Sequence, residues 1–328
     1  MDNITLHFTT GEATIDALLR TIVAHIEATW PGRVSGYYLF GSHAEGSAIP
    51  ASDIDIILVW RGAALAAVET AQLKDFAANW SRRHSIPLDL LPLAEEPLRR
   101  EGHFRIKHGS VLLHGDALRA ILPDLSLTAY LSTYTRAPFG YAAEGFRHTD
   151  RLIFPLAYPD RRAPFYGYVL DNHEPLKALV AAACWDASLL VSLETGRVIR
   201  SKSESVRLYR TSIGGVWADY VETLYEHGKH QWHYAVPIVS GEHRLLRELC
   251  QEYLPFENYY FARYRRYLLD ELTQGDRKRT LLAAQRLEAI VYSDDEVTNA
   301  LKTLCGASDE EICTAAHRAL DRLTQARS

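Results

Sequence analysis

The chain has little of what would tie it to a membrane, an oxidising compartment or a nucleic-acid backbone. No run approaches the ~20 apolar residues that a membrane helix needs, and the opening Met-Asp-Asn-Ile-Thr lacks the basic and apolar regions of a signal peptide. Cys184, Cys250, Cys305 and Cys313 show neither CxxC nor Cys/His ligand spacing, so free buried thiols in a reducing cytoplasm are expected. Positive charge is not in excess. The 36 Lys and Arg against 41 Asp and Glu give a net charge of −5, which argues against nucleic acid as the main partner, since a phosphate backbone favours a net basic surface. Internal repeats and low-complexity tracts are absent as well. What remains is 328 residues, 47% apolar and 23% charged, an ordinary globular composition long enough for two domains.

Against that plain background one stretch stands out. Residues 39–60 read Leu-Phe-Gly-Ser-His-Ala-Glu-Gly-Ser-Ala-Ile-Pro-Ala-Ser-Asp-Ile-Asp-Ile-Ile-Leu-Val-Trp. A strand alternates its side chains, which puts Asp53 and Asp55 on one face and Ile54, Ile56 and Leu58 on the other. Two neighbouring carboxylates repel unless a cation lies between them. A few hard oxygen ligands suit Mg²⁺, which keeps waters and completes its shell with substrate phosphates. The turn before them supplies phosphate-binding parts: Gly41 for close backbone approach, and the Ser42 hydroxyl and amides as donors.

Gly41-Ser42, a spacer of ten residues and then Asp53-Ile-Asp55 resembles the signature of the polymerase-beta-type nucleotidyltransferase superfamily. Members transfer a nucleoside monophosphate from a triphosphate to a hydroxyl, and pyrophosphate leaves. Their pattern includes a third acid on a later strand, and Asp89, inside Ile86-Pro-Leu-Asp89-Leu-Leu, is the match. The resemblance implies that Asp53 and Asp55 hold Mg²⁺ and that Gly41 and Ser42 grip the β- and γ-phosphates. Ser52 is expected to hydrogen-bond a phosphate or to cap the start of the strand. Asp89 either completes the metal site or accepts the acceptor's proton as general base, the role its match has in adenylyltransferases that modify small molecules.

Hydrophobic spacing predicts a helix over 13–29, strands at 34–40, 53–60, 86–92 and 111–115, and helices at 64–84, 95–108 and 116–122. This pattern gives a small mixed sheet with helices on one side, in a domain spanning 1–125. A second domain follows at 126–328, with an irregular connector at 136–172 that carries Pro138, Pro155, Pro159 and Pro164. From 175 onward the pattern is helical, with helices expected at 175–194, 203–228, 241–253, 257–274, 278–291, 294–305 and 308–326. The fold class is therefore α+β: a mixed-sheet nucleotidyltransferase domain followed by an all-α domain.

Aminoglycoside adenylyltransferases carry such a helical domain after the catalytic unit. Leu193-Glu-Thr-Gly196-Arg-Val-Ile-Arg-Ser-Lys202 is similar to their Thr-Gly-x-x-x-Ser-Lys element, with one extra residue. The resemblance makes Lys202 the triphosphate's cation from the helical half, with Arg200 beside it. The arginine that those enzymes place on the preceding helix is missing, and Asp186 and Ser188 stand in that region. His227, His230 and His233 lack an acid partner and are not expected to bind metal, while the aromatic and arginine-rich run at 253–267 is expected to pack a core. Taken together, the resemblance implies a cytoplasmic, Mg²⁺-dependent nucleotidyltransferase. Its donor is a nucleoside triphosphate, expected to be ATP, and its acceptor a small-molecule hydroxyl such as that of an aminoglycoside. Transfer to a protein or RNA, and an inactive nucleotide- or partner-binding member, are the alternatives.

Overall fold

The first helix forms because its apolar residues recur at helical spacing, and it lies along a sheet because those residues need a partner face. In the computed structural model, which describes residues 4–62, 65–274 and 276–327, helix α1 (Ala13–Thr29) buries Ile15, Leu19, Ile22, Val23 and Ile26. The first three residues and the expected helix start at 64 lie outside the described residues. Strand β1 (Val34–Phe40) leads through the four-residue helix α2 (Ser42–Glu45) to β2 (Ile54–Trp60). Helix α3 (Ala67–His84), β3 (Leu88–Ala94), α4 (Glu95–Glu101), α5 (Phe104–His108) and β4 (Ser110–Gly115) follow. The strands form one four-stranded mixed sheet in the order β3-β2-β1-β4. β1 runs antiparallel to β2 and β4, and β2 parallel to β3.

Period-2 alternation divides this sheet into two cores. Tyr37, Leu39, Ile54, Ile56, Leu58 and Trp60 pack with α1 and α3 on one face. Tyr38, Phe40, Ile57 and Val59 pack with Leu98, Ile106, Leu118 and Leu122 on the other. Helices therefore cover both faces, contrary to the one-sided cover expected. The reason lies in the segment 95–122, whose helices are short but bring four apolar residues to the second face. Gly102, at φ +74°, splits the expected 95–108 helix, since a Cβ there would meet the Pro123 carbonyl at 2.7 Å. The expected helix at 116–122 is a single 3₁₀ turn, Leu118–Ala120.

The chain divides into two units, Met1–Ser126 and Leu127–Ser328. The second is largely helical, giving an α+β chain, but it is not all-α. A short parallel pair joins β5 (Leu152–Phe154) to β6 (Ile290–Tyr292). The stretch expected to be irregular, 136–172, also contains α7 (Arg136–Phe139), just after α6 (Leu127–Tyr134), and a π-helical turn, Gly140–Arg147. Helix α8 (Lys177–Thr195) is the core of this unit. Contrary to the expectation that no run would reach membrane-spanning length, its 19 residues are long and apolar enough to cross a membrane, but it is mostly buried inside the protein.

Other helix boundaries depart from expectation for local reasons. The expected 203–228 helix is α9 (Lys202–Leu208), a π turn and α10 (Val216–Tyr225), because Gly214 and Gly215 both take positive φ, 69° and 76°. A third π turn, Glu226–Gln231, presses Gly228 against α8, where an added Cβ would meet Val180 Cγ2 at 2.4 Å. Conversely, Pro255 does not divide the 241–274 region: α11 is one helix, Ser240–Thr273. A proline inside a helix lacks the N–H that would satisfy the carbonyl four residues back. Here that carbonyl, Gln251 O, accepts the Tyr158 hydroxyl at 3.1 Å.

On α11, Tyr253, Phe256, Tyr260, Phe261 and Tyr264 are buried. Arg263, Arg265 and Arg266 instead pair with Glu194, with Asp294 and Glu296, and with Glu296. The aromatic and arginine run is thus a core stripe with an ion-paired outer face. Beneath it lies a polar cluster. Arg147 makes a bidentate pair with the fully buried Glu257 at 2.7 and 2.9 Å, Tyr168 donates to Glu257, and Tyr253 donates to the buried Asp186 at 3.0 Å. Burial first, and the Glu257 charge second, push the Asp186 carboxyl well above the usual carboxylate range. Helices α12 (Arg277–Ala289), α13 (Asp295–Cys305) and α14 (Glu310–Arg327) complete the unit. Of the four free cysteines, Cys184 and Cys250 are buried and Cys305 and Cys313 only partly so.

Candidate functional site

The sequence-predicted residues of the first unit gather at one end of β2. Gly41 breaks away from β1 at φ +71°, ψ −156°, a conformation that is essentially glycine-only. It then caps α2, its carbonyl accepting the Ala44 and Glu45 amides at 3.1 Å. Ser42 opens that helix, where first-turn amides have no intrahelical carbonyl. An added Cβ at Gly41 would lie 2.4 Å from Asp55 Oδ2. The carboxylate of Asp55 is therefore packed directly against the Gly-Ser turn.

β2 begins at Ile54, so Asp53 stands one residue before the strand rather than inside it. Asp55 pairs in register with Asp89 on the parallel neighbour β3 and with Phe40 on β1. Register partners project to the same face. Asp55, Asp89 and Phe40 hence share the second face, that of Phe40, Ile57, Val59, Leu91 and Leu93. Asp53 and Asp55 are half-buried and Asp89 is exposed. Ser52 is buried, and its hydroxyl accepts the Ile49 amide at 2.9 Å, closing the turn that delivers Asp53.

Two residues here carried no signal in the sequence reading. His43, on α2, is buried, and neither ring nitrogen meets a partner of normal hydrogen-bond geometry. Burial holds its pKa below the usual histidine value, against the pull of Glu12, Asp53 and the Ser52 backbone. Arg105, on α5, lays its guanidinium over the Phe40 ring at 4.5 Å. Its spacing from the motif is irregular, so only the folded chain brings it to this face.

Among the described residues no three His, Cys, Asp or Glu side chains are arranged to hold a metal ion by themselves. Mg²⁺ commonly draws on one or two carboxylates, with water and substrate phosphate for the rest. A half-buried Asp55 with Asp53 two residues before it and Asp89 across the strand pair is a donor set of that kind.

Lys202 lies in the second unit. The element that resembles the adenylyltransferase one is a helix stop followed by a helix start. Gly196 closes α8 in the left-handed conformation at φ +69°, and Ser201 caps α9 by accepting the Glu204 amide at 3.0 Å. Lys202 is the first residue of α9 and is half-buried.

The mixed sheet thus carries acids in register at one strand end, beside a glycine-serine turn. Residues 28–117 match the family model described as Polymerase beta, Nucleotidyltransferase, so the first unit contains a nucleotidyltransferase domain of the polymerase-beta type. Gly41, Ser42, Ser52, Asp53, Asp55, Asp89 and Arg105 fall within the match, and Lys202 falls outside it. No curated protein matches the chain.

Proposed function

We propose that the chain moves a nucleoside monophosphate, AMP from ATP, onto a hydroxyl of a small-molecule acceptor such as an aminoglycoside. The observation that carries this reading is the in-register pair Asp55–Asp89, with Asp55 packed on Gly41. Carboxylates packed beside a glycine-serine turn are what metal-assisted nucleotidyl transfer calls for, and that supports the reading. The acceptor oxygen attacks the α-phosphorus, the α–β bridge breaks, and pyrophosphate leaves. Asp89, the most exposed of the three acids, takes the acceptor's proton as general base. Asp53 and Asp55 hold Mg²⁺, and Gly41 and Ser42 receive the β- and γ-phosphates. Bound there, Mg²⁺ neutralises charge on the phosphoryl oxygens. Lys202 is assigned to the triphosphate on the resemblance of its element alone. The small-molecule acceptor rests on the same resemblance.

The test incubates the purified chain with Mg²⁺, each of the four labelled ribonucleoside triphosphates and pooled acceptors, following pyrophosphate release and the fate of the label. Asp53→Asn is expected to abolish transfer while leaving the circular dichroism and melting curve unchanged. Wild type and Asp53→Asn behaving alike with every nucleotide and acceptor would sink the enzymatic reading. Label on protein or RNA would overturn the small-molecule acceptor alone.

A further inference from the structure

One cation on the carboxylate face is not used by the fold. Arg105 sits between Phe104 and Ile106, which are both buried, and Ile106 anchors α5 to the sheet. Its guanidinium carbon lies 4.5 Å from the centroid of Phe40. Phe40 is the register partner of Asp55 and the residue immediately before Gly41-Ser42. Arg105 is therefore stacked on the residue that pairs with Asp55 and leads into the Gly-Ser turn.

Nearby cations are committed elsewhere. Lys107 donates to the Leu122 and Arg119 carbonyls at 2.6 and 3.2 Å and pairs with Asp124. Arg119 donates to the carbonyls of Ile106, at 3.1 Å, and of Ser110. At the opposite end of the sheet Arg61 pairs with Asp116 and Arg99 with Glu95. Among the described residues the Arg105 guanidinium makes no hydrogen bond or ion pair, and the Phe40 ring is its one aromatic contact. Stacking of this kind fixes the plane of a guanidinium while its in-plane N–H groups stay available for a bidentate oxyanion. Three acids and a triphosphate leave a negative excess at such a site even with two Mg²⁺ ions bound, so a cation at this edge is stabilising.

We propose that Arg105, held over the Phe40 ring, binds the β- and γ-phosphates of the nucleotide, the part that departs as pyrophosphate. This rests on the nucleotidyl-transfer reading above and assigns a triphosphate-binding residue within the first unit. Calorimetry of the full chain with MgATP, magnesium pyrophosphate and AMP tests it, comparing wild type, Arg105→Gln and Arg105→Lys, with melting curves alongside. Charge-assisted bidentate contacts are strong, so Arg105→Gln is expected to weaken MgATP and pyrophosphate about 10- to 100-fold, leaving AMP within about twofold. Arg105→Lys keeps the charge but not the fork, so only part of that affinity returns. A folded Arg105→Gln that binds MgATP and pyrophosphate like wild type overturns the proposal and leaves the nucleotidyltransferase reading standing. If Arg105→Gln does not fold, Arg105→Lys decides: triphosphate affinity unchanged from wild type overturns the proposal, and a several-fold loss with AMP unchanged supports it. Wild type binding neither MgATP nor pyrophosphate overturns both readings together.

Discussion

Gly41 is where backbone geometry and chemistry meet most closely, and replacing it by alanine separates two costs. Its φ of +71° and ψ of −156° lie where a Cβ is strained, worth about 1–3 kcal/mol. The new Cβ would also stand 2.4 Å from Asp55 Oδ2, well inside contact distance. Asp55 must then rotate away, and overpacking of this kind adds about 1–3 kcal/mol. The sum, about 2–6 kcal/mol, lowers the melting temperature of a unit of this size by about 4 °C per kcal/mol. Gly46 is the control. It is also left-handed, at φ +67° and ψ 22°, but nothing lies within 4 Å of a Cβ placed there. Gly46→Ala is expected to cost only about 1 kcal/mol. Thermal melts followed by a transfer assay should show both variants destabilised, Gly41→Ala the more. Nucleotidyl transfer should be lost in Gly41→Ala and kept in Gly46→Ala. Equal losses in the two variants, or a fully active Gly41→Ala, would refute the argument that Asp55 is positioned by the bare glycine backbone.

The helical unit supports three further predictions. The unfolded chain releases the Asp186 proton near pH 4, whereas the folded chain holds it to higher pH. The stability Asp186 contributes is thus full below about pH 4 and falls as pH rises towards its folded pKa, by at most about 1.4 kcal/mol per unit. Urea melts from pH 4 to 7 should show Asp186→Asn gaining on wild type as pH rises, and parallel curves would contradict this. Glu257→Gln, by contrast, leaves the guanidinium of Arg147, only 12% exposed, without its carboxylate, and should cost about 3–5 kcal/mol. At the proline inside α11, Tyr158→Phe should cost about 1 kcal/mol by orphaning Gln251 O. In a Pro255→Ala background the restored amide takes that carbonyl, and the cost should fall by more than half. Additive losses in this double-mutant cycle would reject the pairing.

Much of the first unit was legible because its signals are short-range. Helical spacing located Ala13–Thr29, and the strand expected at Val34–Phe40 before the Gly-Ser turn is found residue for residue. The order Gly-Ser, Asp-x-Asp and a third acid picked out Gly41, Ser42, Asp53, Asp55 and Asp89 as one set. Reading failed where a local rule was overridden by a distant partner. Pro255 looked like a helix end, but Tyr158 satisfies the carbonyl it exposes. The polypeptide at 136–172 looked irregular, yet Leu152–Phe154 finds its partner strand at Ile290–Tyr292.

The sequence by itself determined which glycine, serine and aspartate residues make up the nucleotidyltransferase pattern, and most of the strands and helices that carry them. Periodicity and turn chemistry operate over a few residues and leave their mark in any linear reading. Only the tertiary structure decided that Asp55 and Asp89 stand in register, that the bare Gly41 backbone seats the Asp55 carboxylate, and that Arg105 lies over the ring of Phe40. Those placements depend on parallel pairing and on packing between segments far apart in the chain, and such contacts are set by the closing of the whole sheet rather than by any local run of residues.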